Sequence, residues 1–176
     1  MAAKDYPMNK PSAAKYHPSI AFLAKRLGSL CLEKKLTLSV AESCTGGMIG
    51  AAITAVPGSS AYFSGGIISY SNDVKRMVLG VPKPVLEKKG AVSAETVKAM
   101  VKGVRRLCKT DCGIAVSGIA GPDGGTKQKP VGLVYVGIGL GKKVRSFKYY
   151  FRGTRQEIRS LTVSVALQRM IEEVAK

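Results

Sequence analysis

The stretch Leu36–Ile53, LTLSVAESCTGGMIGAAI, decides the fold. It passes from an apolar strand over 36–41, through the polar turn Glu42–Gly47, into a small-residue helix over 48–56 that stops at Pro57-Gly58. Strand, polar turn and helix in that order is the layout of a ligand-binding α/β unit, which gathers its functional loops at the carboxyl ends of its strands.

Upstream, Ile20, Phe22, Leu23, Leu27, Leu30 and Cys31 recur at three- and four-residue intervals and predict a helix over 19–35 with one buried face. Downstream, 64–71 reads as a second strand, and a short helix begins near Asn72 and ends by Gly80. Residues 83–90 form a helical turn, and Ser93 caps a longer helix that runs through Cys108 with Glu95 in its first turn. A third strand over 114–116 feeds the Gly-rich loop Ser117–Gly125. Strands over 131–140 and 143–151 meet in a hairpin at Gly141-Lys142. Thr154 and Glu157 form a capping-box pattern ahead of a final helix that carries Ile158, Leu161, Val165, Leu167 and Ile171. The expected fold is α/β, a three-layer α/β/α sandwich with a mixed sheet.

The chain has 176 residues, of which 45% are hydrophobic and 22% charged, enough for one domain with its own core. That domain is expected over 19–176, preceded by a disordered extension over 1–18. The extension mixes lysines and prolines and lacks the apolar centre of a secretory signal, so a cytoplasmic location is expected. Its scarcity of acidic residues leaves organellar targeting open. No apolar run approaches the roughly 18 residues of a membrane-spanning helix, so no membrane partner is expected.

Cys31, Cys44, Cys108 and Cys112 form no C-x-x-C pairs, and the single histidine, His17, sits in the Pro-rich extension. A zinc site is therefore unsupported and no metal is expected. The same count removes histidine as a catalytic base, so any acyl-transfer chemistry must use another group.

Three polar loops follow apolar strands. In the first, Ser43, Cys44 and Thr45 precede two glycines and a helix, so a hydroxyl there lies beside backbone N–H groups that can stabilise an oxyanion or phosphate. The plainer alternative makes Ser43 and Thr45 helix caps. In the second, Tyr70-Ser71-Asn72-Asp73-Val74-Lys75, a cap at Ser71 or Asn72 puts Lys75 in the first helical turn. There the helix dipole and Arg76 are expected to depress its pKa toward that of a usable base. The alternative is a solvated surface lysine. The third loop, Ser117–Gly125, has glycines that admit a ligand close to the backbone and Asp123 to bond hydroxyls or ammonium groups. It matches neither a P-loop nor a dinucleotide fingerprint.

Taken together, Ala41–Gly47, Tyr70-Ser71-Asn72 and Ser117–Gly125 resemble the CinA C-terminal domain family, as do Gly58-Ser59-Ser60, Gly90–Ser93, Lys129–Gly132 and Phe151-x-Gly153-x-Arg155. The resemblance spans roughly residues 23–176. It implies an amidohydrolase that converts nicotinamide mononucleotide to nicotinic acid mononucleotide and ammonia, with no metal and no cofactor. It assigns Ser43 as nucleophile, Lys75 as its base and Tyr70 as the residue that orients the pair or relays a proton. Backbone N–H groups around Thr45, Gly46 and Gly47 are the implied oxyanion donors. Asn72, Ser117, Gly118, Gly121, Asp123 and Arg155 are the implied substrate contacts, and Arg155 suits phosphate unless it is only a surface arginine. The family's Phe-x-Gly-Asp-Arg pattern here reads Phe151-Arg152-Gly153-Thr154-Arg155, with threonine for aspartate. Related domains self-associate, so a homo-oligomer is expected.

A second reading starts from charge. Lys and Arg number 28 against 11 Asp and Glu, a formal net charge of +17. A catalytically idle domain with this surface would bind nucleic acid or an acidic partner. The basic region between Lys75 and Lys109 lacks the interleaved aromatics of single-strand binders, so nucleic-acid binding is expected to be nonspecific at most.

Overall fold

The computed structural model describes residues 18–176. The expected extension over 1–18, with His17, therefore lies outside the described residues except for Pro18.

The elements follow in the order α1 (Ile20–Glu33), β1 (Leu38–Glu42), α2 (Met48–Thr54), β2 (Phe63–Ile68), α3 (Asn72–Met77), α4 (Lys83–Lys89), α5 (Ala94–Cys108), β3 (Cys112–Gly118), β4 (Leu133–Leu140), β5 (Lys143–Tyr150) and α6 (Arg155–Val174). A one-turn 3-10 helix, Ser59–Ala61, precedes β2. The sheet order is β2-β1-β3-β4-β5. β1 pairs in parallel with β2 and β3, whereas β3–β4 and β4–β5 are antiparallel, which makes the sheet mixed as expected.

Strand alternation divides the core between the two faces of the sheet. Leu38 and Val40 of β1, with Ile114 and Val116 of β3, pack with the apolar sides of α1, α2 and α6. Ala41 and Ala115 point the other way, against Val97, Met100, Val101 and Val104 of α5. Every residue of β1 is buried, as befits a strand with parallel neighbours on both sides and helices on both faces.

Several boundaries differ from the sequence reading. β3 extends to Cys112–Gly118, because neighbours on both sides satisfy its backbone beyond the short apolar run. β4 begins at Leu133, since Gly132 turns with φ +89° against the Phe151 carbonyl, where a Cβ has no room. Residues 83–89 form a full helix, closed by Gly90 at φ +77°. The capping box at Thr154 and Glu157 is present as read. No helix among the described residues is long and apolar enough to cross a membrane.

The topology itself builds a site. β1, β2 and β3 run in parallel, so Glu42, Ile68 and Gly118 end on one edge of the sheet. Two antiparallel steps later β5 points the same way and delivers the start of α6 to that edge.

The segment after α3 docks on α5 at Gly103, where the Leu79 carbonyl oxygen occupies the place a Cβ would take. Gly103→Ala is expected to destabilise the protein by roughly 1–3 kcal/mol through overpacking, despite alanine's better helix propensity. Urea unfolding checks this. Stability at or above that of the wild type, the result propensity alone would give, contradicts the close approach.

Candidate functional site

The first loop is organised by a residue the motif reading passed over. Glu42, the last residue of β1, is buried at 1% exposure, and its carboxylate accepts from Thr45 Oγ1 (2.6 Å), Gly47 N–H (3.0 Å), Ile49 N–H (3.1 Å) and Gly50 N–H (2.8 Å). These are the amides that open α2, so the protein's own carboxylate fills the anion position at that helix end. Gly46 N–H is engaged as well, donating to the Ser43 carbonyl. Of the donors expected there for substrate or an oxyanion, the Gly46 and Gly47 amides and the Thr45 hydroxyl are engaged inside the turn.

The second loop brings Lys75 to Ser43. Ser71 is the N-cap of α3, accepting from Val74 N–H, and Lys75 follows in this six-residue helix. Lys75 is 1% exposed, and its Nζ lies 3.1 Å from Ser43 Oγ, 2.7 Å from the Ser69 carbonyl and 3.3 Å from the Tyr70 carbonyl. Burial pulls its pKa down from 10.5 to about 8. Loss of water is the largest cause, and Arg76, invoked in the sequence reading, is exposed and turned toward Asp73. Neither is Lys75 the solvated surface residue of the alternative reading.

This geometry constrains the neutral amine. Neutral lysine keeps two N–H donors and one lone pair, and the Ser69 and Tyr70 carbonyls can only accept. The lone pair is left to the one neighbour able to donate, the Ser43 hydroxyl. Of the other two side chains in the turn, Thr45 already donates its hydroxyl hydrogen bond to Glu42. Cys44 has a thiol that burial pushes up to about 12, which keeps it protonated at neutral pH.

A pocket of ≈ 280 Å³ opens over the pair. Ser43, Tyr70 and Lys75 line it, and Ser117, Gly118, Gly121, Asp123 and Arg155 form the facing wall. Asn72 is exposed and is not among the lining residues. Ser117 donates to the Ala91 carbonyl (2.8 Å), which ties the end of β3 to the segment before α5. Ala91 and Val92, which lie within the family-like segment Gly90–Ser93 but carry no site assignment from the sequence, join the wall.

Arg155 reaches across the opening, with Nη1 on the Gly121 carbonyl (2.6 Å) and Nη2 on Tyr70 Oη (3.1 Å). It is thus a clasp between the second and third loops, not a loose surface arginine. Tyr70 contributes its carbonyl to Lys75 and its phenol to Arg155. Arg159, four residues further along α6, donates from Nη2 to the Thr45 carbonyl (2.8 Å). The i, i+4 spacing of the two arginines was the available signal for Arg159.

The fold and site define an α/β sandwich protein with a buried serine–lysine pair at the carboxyl edge of its sheet. The chain belongs to the CinA C-terminal domain family, whose model matches residues 20–174. It is 56% identical over 145 residues to a "CinA-like protein" of Endomicrobium trichonymphae, covering 82% of this chain and 34% of that protein. It is 52% identical over 144 residues to a "Putative competence-damage inducible protein" of Desulforudis audaxviator, covering 82% of this chain and 35% of that one. The chain thus spans about a third of the length of these relatives.

Among solved structures, a CinA superfamily protein of Klebsiella pneumoniae superposes with a TM-score of 0.87 at 30% identity, covering 90% of this chain and 99% of that one. The competence/damage inducible protein CihA of Agrobacterium tumefaciens gives 0.86 at 39% identity, covering 92% and 99%.

The Lys75 pKa predicts how stability varies with pH. Between about 8 and 10.5 the unfolded state holds a proton that the folded state has lost, so raising the pH through this window favours folding. The stability of wild type minus that of Lys75→Met should grow by roughly 3 kcal/mol from pH 7 to pH 10.5. Urea titrations at each pH measure it, and a flat difference contradicts the depressed pKa.

Proposed function

We propose that the domain is an amidohydrolase acting on the carboxamide of nicotinamide mononucleotide. The observation that carries this reading is the contact between Lys75 Nζ and Ser43 Oγ at 3.1 Å, both groups buried on the floor of the pocket. The choice of substrate follows the family resemblance.

Neutral Lys75 takes the Ser43 proton as Oγ attacks the carboxamide carbon. The tetrahedral intermediate collapses when the proton on Lys75 passes to the departing nitrogen, releasing ammonia and leaving an acyl-serine. Water, deprotonated by the same amine, then cleaves the ester, giving the carboxylate and regenerating Ser43. With the Gly47, Ile49 and Gly50 amides engaged by Glu42 and the Gly46 amide by Ser43, the Cys44 and Thr45 amides are the turn's candidates for the oxyanion. Arg155 offers its guanidinium to the phosphate, which would replace the Gly121 carbonyl and the Tyr70 phenol as its partner. Tyr70 positions Lys75 through its carbonyl and positions Arg155 through its phenol. Asp123, Ser117, Gly118 and Gly121 face the nucleotide.

Ammonia release from nicotinamide mononucleotide tests the reading. Ser43→Ala should lower kcat by about 1,000-fold or more while folding normally. In the wild type, kcat/KM should rise with pH and level off above about 8, the pH at which Lys75 loses its proton. A folded wild-type protein that releases no ammonia sinks the assignment, and an active Lys75→Arg variant removes lysine as the base.

The second reading keeps one supporting observation: Lys98, Lys102, Arg106 and Lys109 of the α5 region are exposed. Binding to DNA or RNA through this face should be independent of sequence and fade as salt rises through the physiological range. Tight, sequence-selective retention at that salt would favour the binding module.

A further inference from the structure

The Arg159 bond to the Thr45 carbonyl joins residues 114 positions apart. The other donor to that carbonyl is the Met48 amide at 3.4 Å, so the guanidinium supplies the shorter, charge-assisted bond. Gly46 lies directly beneath the guanidinium. A Cβ there would stand 3.4 Å from Arg159 Nη2, and the backbone at Gly46 has φ +59°.

Arg159 is costly where it stands. Its Nε is buried and meets no acceptor among the described residues. Its guanidinium has no carboxylate within ion-pair distance among those residues. Arg155, one helical turn earlier, adds a like charge at unfavourable spacing. A methionine would fill the same space without these penalties, so packing does not account for an arginine here. What the guanidinium adds is a fixed point for the turn: Glu42 grips it from the amide side and Arg159 from the carbonyl side.

We propose that Arg159 is a positioning residue, the strut from α6 that holds the Ser43 turn so that Ser43 Oγ stays against Lys75 Nζ. This deepens, and rests on, the amidohydrolase reading above. Ser43 sits two residues before the anchored carbonyl, and a displacement on the order of 1 Å at a nucleophile costs about 100-fold in rate.

The test compares wild type, Arg159→Met and Arg159→Lys by two readouts. One is kcat and KM for nicotinamide mononucleotide. The other is the rate at which a fluorophosphonate labels Ser43, which requires the nucleophile but no carboxamide. Arg159→Met should lower kcat and the labelling rate together, by about 10-fold to 100-fold, with KM within about twofold. Arg159→Lys, which keeps a cationic donor, should recover most of both. Values for Arg159→Met within about twofold of wild type overturn the proposal, as does a loss confined to KM. If Arg159→Met does not fold, Arg159→Gln is judged by the same limits. Wild-type labelling without ammonia release sinks the substrate assignment alone, and the labelling ratio then decides the case of Arg159. No labelling of wild type overturns both.

Discussion

The Glu42 carboxylate holds the functional edge of this protein together. Its two oxygens collect one hydroxyl and three backbone amides, so the last residue of β1 is bonded into the first turn of α2 across the whole Ser43 loop. A buried carboxylate is tolerable only when its lone pairs are filled, and here the α2 amides fill them while Glu42 caps them in return. The two needs cancel, and the turn between them has little freedom left. Ser43 is presented to the pocket because its neighbours on either side are committed.

Against this fixed turn stands a buried amine. Lys75 finds three acceptors around Nζ, which satisfy an ammonium, yet the lack of water still pulls its pKa to about 8. The balance lies close to neutrality, where an amine accepts a proton and returns it within one catalytic cycle. Two carbonyls face it from Ser69 and Tyr70, and the hydroxyl of Ser43 completes the set.

The large positive charge has two distinct parts. Most basic residues, those of α5 among them, are exposed and set a general field that draws anions. Arg155 and Arg159 instead direct their guanidinium donors to carbonyls of the loops at the pocket: Gly121 for one, Thr45 for the other. Through them α6 reaches loops that follow three different strands, as Arg155 also meets Tyr70.

The sequence by itself determined the succession of strands and helices, the Ser93 and Thr154 caps, the hairpin and the three loops, because each depends on neighbours a few residues apart. It also singled out Ser43, Lys75, Tyr70 and Arg155, which do meet at one pocket. Only the tertiary structure decided that Lys75 is buried rather than solvated, since desolvation depends on what the whole fold stacks above a side chain. Likewise only it decided that the α2 amides are closed to ligands and that Arg159 belongs to the site. A free helix end and one capped by a carboxylate look alike in a motif, and the spacing of Arg159 from Arg155 does not reveal a bond to a carbonyl 114 residues away. Short-range periodicity writes elements into the sequence; long-range hydrogen bonds and the exclusion of water write the chemistry, and these exist only once the sheet has brought its loops together.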